Sequence, residues 1–382
     1  MGMAIATVVI LPFGLIFIIS GLTVNFFQAL LFVLVRPISK WIYRRINKEV
    51  TELLWLQFVW LFHWWANIKV KLYIDPETYE LLGKENAVVI SNHRSDIDWL
   101  VKLILAQRAG CSGNALALAK KLLFYIPILG WAMWFAGFIV IEGNWAKDER
   151  NLQSGFEELN DFQQPFWLVV FLEGTCFTRE NLLEAQEYAA SAGLPVPKNV
   201  LIPRTKGFVS TVSHLRSLVP AIYDLTVAIP KSEEQPTMLR IFQRRSSVVH
   251  VHIQRHLMQD LPESGSGISQ WCKDVFVKKD ALLEQHLAIG KFTDKECHDI
   301  ARPRKSVLVS VVWACLVLLG IVEFFVWCPL SWGEASLCAV FLVVTMIFML
   351  VVILTSQSEH SSTFKAAFKR NNNGLQEGLL PR

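Results

Sequence analysis

Three stretches of this chain are too long and too apolar to be ordinary surface segments, and all lie towards its ends. Residues 4 to 35 carry no charge and are interrupted only by Pro12-Phe13-Gly14 and Gly21. Residues 307 to 328 and 335 to 355 form a second and a third run. A bilayer core takes about 20 apolar residues as a helix, so each run is long enough to span. The first lacks the basic start and small-residue cleavage site of a signal peptide, and it reads as one tilted span or a broken hairpin. Arg36, Lys40, Arg44, Arg45 and Lys48 follow the first run. Arg302, Arg304 and Lys305 precede the second, and Lys365, Lys369 and Arg370 follow the third. Positive charge marks the cytosolic side, so the last two runs form a membrane hairpin and everything between the anchors faces the cytosol.

The anchors divide the chain. Residues 1–36 are an N-terminal membrane anchor. Residues 37–86 carry the basic flank and an aromatic run, Leu53 to Trp65, expected to lie at the membrane interface or roof a lipid groove, with a third span as the alternative. Its His63 is expected as an interfacial polar tip. Residues 87–300 are a cytosolic domain, 301–355 the hairpin and 356–382 a polar, disordered tail. The seven cysteines are scattered without a CxxC pair, which fits a reducing compartment and neither a disulfide framework nor a zinc site. A net charge of +4 is mild, and with the anchors it disfavours a nucleic-acid partner.

From Ile68 to about His256 the pattern alternates. Strands are expected at 88–91, 115–119, 138–141, 166–172, 200–202, 218–223 and 248–253. Helices are expected at 97–108, 147–161, 180–192 and 206–216, with another amphipathic helix over 264–290. Such alternation builds an α/β domain, a mostly parallel sheet covered by helices.

Four junctions in this pattern carry chemistry. At the first, Val88 to Ser91 ends in Asn92-His93-Arg94-Ser95-Asp96-Ile97-Asp98 and a helix begins. A neutral imidazole accepts a proton near pH 7, and a carboxylate on its other nitrogen fixes the tautomer. His93 and Asp98 suit those parts if His93 sits in the turn and Asp98 in the first helical turn. Ser95-x-x-Asp98 equally resembles a helix capping box. At the second, Leu172-Glu173-Gly174-Thr175-Cys176 closes a strand, where a glycine permits close approach and Glu173 and Thr175 are able to orient a polar ligand. At the third, Pro203-Arg204-Thr205-Lys206-Gly207 starts a helix, a place that favours anions. At the fourth, Lys120-Lys121 ends a strand, as a phosphate contact or a solvated basic pair. His250, His252 and His256 share one side of a strand, read as an exposed face and not as metal ligands. No Gly-x-Ser-x-Gly elbow of a serine hydrolase occurs.

Taken in order, these blocks resemble the glycerolipid acyltransferase superfamily. Asn92-His93-x4-Asp98 is similar to its first block, and Phe138 to Asn144 lies where the second belongs. Leu172-Glu173-Gly174-Thr175 is similar to the third and Ile202-Pro203-Arg204-Thr205-Lys206-Gly207 to the fourth. The wider run, with Trp145-Ala146-Lys147-Asp148-Glu149, resembles plant lysophosphatidic acid acyltransferases of the endoplasmic reticulum membrane. That resemblance implies acyl transfer from acyl-CoA to the sn-2 hydroxyl of lysophosphatidic acid, giving phosphatidic acid for phospholipid and triacylglycerol synthesis. It implies no metal, no other cofactor and no acyl-enzyme. It makes His93 the base, Asp98 its orienting partner, Arg204 and Lys206 phosphate ligands, and Glu173, Gly174 and Thr175 the shape of the acceptor site. Two positions depart from the pattern: Gly143 and Cys176 stand where the blocks normally carry arginine. A different lysophospholipid as acceptor, or a membrane scaffold without turnover, are the alternatives that this departure raises. The sequence does not specify the oligomeric state.

Overall fold

A computed structural model describes residues 2–95, 97–327 and 336. Apart from Ser336, the expected third apolar run and the polar tail fall outside the described residues.

The first apolar run is continuous helix: α1 (Gly2–Leu30), prolonged by a π-helical turn over Leu31–Val35, with Pro12 inside it. It is therefore one element and not a hairpin. Its stretch Pro12–Val35, and Arg304–Phe324 within the last helix described below, are long and apolar enough to cross a membrane. The aromatic run forms the second half of α2 (Lys40–Trp60) and a π-helical turn over Leu61–Trp65. Its place corrects the interfacial reading. Leu54, Leu56, Phe58, Val59, Leu61 and Phe62 are buried, and so is His63. The helix is a partition: α1 lies on one side, and the globular domain on the other through Trp99 and Phe138. Gly21 makes the close approach of α1 possible, since a Cβ there would come within 2.3 Å of the Ile128 side chain. Two polar clasps cross the apolar contact, Gln57 Nε2 donating to Ser20 Oγ at 2.9 Å and Gln28 Nε2 to Thr51 Oγ1 at 3.0 Å.

The domain is an eight-stranded mixed sheet. The strands are β1 (Lys69–Ile74), β2 (Ala87–Ser91), β3 (Ala115–Lys120), β4 (Ile139–Ile141), β5 (Trp167–Phe171), β6 (Ala221–Ala228), β7 (Val248–Leu257) and β8 (Glu296–Asp299). Their order is β4-β3-β5-β2-β6-β7-β1-β8. The β6–β7 and β1–β8 pairs are antiparallel and the others parallel, so the expectation of a mostly parallel sheet holds. Ala87 to Ser91 and Ala221 to Ala228 are buried throughout, as central strands covered on both faces must be. The covering helices are α3 (Pro76–Leu81), α4 (Asp98–Arg108), α5 (Leu129–Ala136), α6 (Trp145–Leu159), α7 (Arg179–Ala192), α8 (Thr205–Leu215), α9 (Met238–Phe242) and α10 (Gly265–Ile289), and α11 (Arg304–Trp327) returns to α2. One face of the sheet packs on α4 and, through it, on the anchor helices; the other packs on α6, α8 and α10.

Two strand expectations are corrected, and two strands, β1 and β8, lie outside the expected set. Residues 200–202 make no ladder: Pro203 lacks a donor, and the next amide, Arg204 N, bonds the Leu172 carbonyl at 2.7 Å. The strand expected at 218–223 begins at Ala221 and runs on to Ala228. β8 is polar Glu-Cys-His-Asp on a sheet edge, without the alternation that marks a half-buried strand. The histidines of β7 are also not an exposed face. His250 and His252 are buried, with His250 Nδ1 2.9 Å from His286 Nε2 and His252 Nε2 2.8 Å from Asp294 Oδ2.

The chain leaves β2 at Asn92, whose buried amide acts as a splint. Its Nδ2 donates to the Val227 carbonyl at 2.9 Å, and its Oδ1 accepts from the Val227 amide at 2.8 Å. Asn92→Ala removes both bonds and orphans a buried backbone pair, which costs about 1–3 kcal/mol. Thermal unfolding in detergent micelles is expected to show a lowered Tm for this variant, and an unchanged Tm would refute the splint.

Candidate active site

The turn after Asn92 places His93 at the carboxyl end of the central strand, where open α/β sheets keep their ligand crevice. Asp98 is the first residue of α4 and is 2% exposed. Its Oδ2 lies 3.0 Å from His93 Nδ1 and also accepts from the amides of Arg94 at 2.6 Å and Ser95 at 2.9 Å. The capping reading of this carboxylate thus holds, and the same oxygen that closes the turn also meets the imidazole. Burial alone drives the Asp98 carboxyl up. The Lys102 charge, the His93 bond and charge, and the Ser95 amide outweigh it and hold the group below the ordinary carboxylate range. An ionised Asp98 accepts only, so Nδ1 carries the proton and Nε2 is left as a base.

Glu173 follows β5 and is 3% exposed, with Oε2 accepting from the His93 amide at 3.3 Å. It supports the backbone of His93 from beneath. Burial pushes its carboxyl up to about 8, against the opposing pull of the His93 and Leu201 amides. Gly174 takes a φ of +70°, and a Cβ on it would meet the Arg204 side chain at 3.0 Å, so the guanidinium lies across this turn. Thr175 is buried, its Oγ1 accepting from Asn181 Nδ2 at 3.4 Å. The Phe177 amide bonds the His93 carbonyl at 2.7 Å, which ties this loop to the first block.

The cations divide. Arg204 and Lys120 are exposed and near enough for their charges to interact; the Lys120 amine is lowered to about 8, first by the surrounding protein and then by Arg204. Lys121 turns away to Glu142 at 3.0 Å, raising its own amine, and Lys147 joins the same carboxylate at 3.5 Å. Lys206 is exposed in the first turn of α8. Gly143 has a φ of +82°, its amide donating to Asp148 Oδ2 at 3.0 Å, so a side chain at this position would be strained. Cys176 Sγ lies 3.2 Å from His93 Nε2 and 3.6 Å from Nδ1, and it is also near enough to Lys120 to act on that amine.

Two buried lysines were not found by reading motifs. Lys102 lies one turn after Asp98, 3% exposed, and Lys279 of α10 donates to Asp224 Oδ1, to the Leu225 carbonyl at 2.7 Å and to Thr226 Oγ1 at 3.1 Å. A lysine inside Leu100-Val101-Lys102-Leu103-Ile104 is the signal that was available for the first. Among the described residues no group of three or more His, Cys, Asp or Glu is placed to hold a metal ion.

With this geometry in place, the comparisons are specific. Residues 69–229 match the family model described as Acyltransferase, and residues 240–313 match Acyltransferase C-terminus. The chain is 54% identical to 1-acyl-sn-glycerol-3-phosphate acyltransferase 2 of Brassica napus, over 98% of this chain and 97% of that one. It belongs to the 1-acyl-sn-glycerol-3-phosphate acyltransferase family. Enzyme 3 of Arabidopsis thaliana is 51% identical over 98% of both chains. The gamma enzyme of Homo sapiens is 34% identical over 81% of this chain and 82% of its own. The solved 1-acyl-sn-glycerophosphate (LPA) acyltransferase of Thermotoga maritima is similar with a TM-score of 0.40 and 15% identity, over 72% of this chain and 96% of that one.

Glu173 provides a pH test of the site's construction. Its folded-state proton is held up to about 8, whereas an unfolded glutamate releases it near 4.5. Its contribution to stability is therefore complete below about pH 4.5 and is lost as pH rises through about 8. Between pH 6 and 9 the Tm of the wild type is expected to fall more than that of Glu173→Gln. Parallel curves would place the Glu173 proton elsewhere.

Proposed function

We propose that this acyltransferase family member converts lysophosphatidic acid to phosphatidic acid, with acyl-CoA as the acyl source. The observation that carries this reading is the His93–Asp98 pair at the carboxyl end of β2 with Arg204 and Lys120 beside it. His93 Nε2 takes the proton of the acceptor's sn-2 hydroxyl as the oxygen attacks the acyl carbon of a thioester. Asp98 holds the imidazole and steadies its charged form. The sulfur leaves as the tetrahedral centre collapses and receives the proton from His93. Arg204, Lys120 and Lys206 attract the phosphate, and a guanidinium suits its paired oxygens. Lys121 is engaged by Glu142 and serves the network at the sheet edge. Glu173, Gly174 and Thr175 act mainly by shaping the loop under the acceptor. The reaction needs no metal and no cofactor beyond the acyl-CoA co-substrate.

The apolar anchors support membrane association, the basic flanks support residues 37 to 300 on the cytosolic side, and the resemblance to plant enzymes supports the endoplasmic reticulum as the membrane. There the lipid substrate approaches through the bilayer and acyl-CoA from the cytosol. Sealed microsomes treated with protease are expected to lose a tag placed after Arg382; a protected tag would refute this orientation.

His93→Ala is expected to cut turnover by about 10²–10⁴-fold, the usual worth of a general base. Arg204→Gln is expected to raise the KM for lysophosphatidic acid about 10-fold or more with a smaller effect on kcat, since a hydrogen bond to a charged group contributes about 1.5–3 kcal/mol. Steady-state kinetics of the purified full chain with oleoyl-CoA measures both. Normal turnover in His93→Ala would reject the mechanism.

A further inference from the structure

A buried charge is costly unless it is paired, and this domain buries two lysines. Lys279 has its partners in Asp224, the Leu225 carbonyl and Thr226 Oγ1. Lys102 is 3% exposed, and its Nζ makes no hydrogen bond among the described residues. Packing alone would favour an apolar side chain inside Leu100-Val101-Lys102-Leu103-Ile104. The reason for a charge at this position lies in its neighbours.

Those neighbours include the His93–Asp98 pair. Lys102 follows Asp98 by four residues on α4, so the two side chains lie on one face of the helix, one turn apart. The ammonium stands 4.6 Å from the centre of the Phe171 ring, and the His93 ring packs 4.5 Å from that same ring. Asp98 in turn meets His93 Nδ1 at 3.0 Å. Imidazole, carboxylate and ammonium are thus gathered around the end of β5. The titratable groups facing Lys102 are Asp98 on its own helix, Lys279 of α10, and Glu173 and Cys176 after β5. Those facing Asp98 are Lys102, His93, Arg94 and Glu173. Burial works against an ionised Asp98, and Lys102 is the largest of the influences that oppose it. The resemblance places an arginine at the end of the third block, where Cys176 stands here, so α4 supplies a buried positive charge that this loop lacks.

We propose that Lys102 is a positioning residue for acyl transfer: its buried ammonium holds the Asp98 carboxylate as an acceptor, and through it keeps the His93 proton on Nδ1 and Nε2 free. This rests on the acyltransferase reading above. An uncharged side chain at 102 leaves burial to raise the Asp98 carboxyl. A protonated Asp98 donates to Nδ1, the ring proton moves to Nε2, and the hydroxyl of the acceptor meets no base. The effect belongs to acidic pH. The ammonium itself, lowered to about 8 chiefly by burial, stays charged throughout that range.

The test measures phosphatidic acid formed from oleoyl-CoA and lysophosphatidic acid by the purified full chain in detergent, from pH 5 to pH 9. Lys102→Met and Lys102→Gln both remove the charge and nearly keep the length. Each is expected to move the acidic limb of kcat upward by about one pH unit, a loss of about 10-fold on that limb, with little change in the KM for lysophosphatidic acid. Above about pH 8, where Lys102 gives up its own proton, both profiles are expected to converge on the wild type. The double variant Asp98→Asn/Lys102→Met is expected to be no slower than Asp98→Asn, because a residue that acts through Asp98 then has nothing to act on. An unchanged profile, a loss equal at every pH, a raised KM with kcat unchanged, or losses that multiply in the double variant would each overturn the positioning role and leave the acyltransferase reading intact. If the wild type forms no phosphatidic acid in the same assay, the acyltransferase reading fails and this inference falls with it.

Discussion

A single carboxylate oxygen organises this site. Asp98 Oδ2 receives the Arg94 amide, the Ser95 amide and His93 Nδ1. The two amides would otherwise be orphaned donors in a tight turn. The same contacts that end the strand and start the helix therefore set the tautomer of His93. Loss of the carboxylate would disturb the backbone and the proton inventory together. That coupling is why the spacing of four residues between His93 and Asp98 works: a longer loop would free the imidazole, and a continuous helix would point the two side chains apart.

The fold was readable where the signal is local. Apolar β-branched runs marked the central strands, and the helix over 264–290 appears as Gly265–Ile289 with Ile268, Cys272, Val275, Phe276 and Leu283 buried along one face. Legibility failed where tertiary contact decides. The aromatic run of α2 looks like an interfacial helix because tryptophans suit interfaces. Whether a second apolar helix covers it is not encoded in the run itself. The polar edge strand β8 lacks any periodicity to read, and residues 200–202 satisfy every local criterion of a strand except that Pro203 and the Leu172 contact leave them nothing to pair with.

The site shows the same division. His93, Asp98, Glu173, Gly174 and Arg204 converge, as their blocks imply. The adjacent Lys120 and Lys121 part company, because one follows the strand towards Arg204 and the other meets Glu142. The position of Cys176 was visible only as a departure from an arginine. Its contact with His93 depends on how the loop after β5 folds over the turn after β2, fixed by the bond between the Phe177 amide and the His93 carbonyl. Lys102 was invisible as a partner of the site, since only the helical register places it beneath Phe171.

The polar clasps between α1 and α2 bear on how the enzyme is put together. Ser20–Gln57 and Gln28–Thr51 lie in a contact that also buries Phe17, Ile18 and Val24. In an apolar surrounding each such pair matches only one registry, because sliding either helix by a turn would strand both partners. The leading helix is thus not a leash on which a soluble catalyst floats but one wall of it. A chain trimmed at residue 36 for crystallisation or secretion would present bare aromatic surface where that wall had stood, and would stick to itself before it could be assayed. The leading helix and the domain that carries the reaction centre are fixed to each other by the fold, as a shelf is fixed by its bracket.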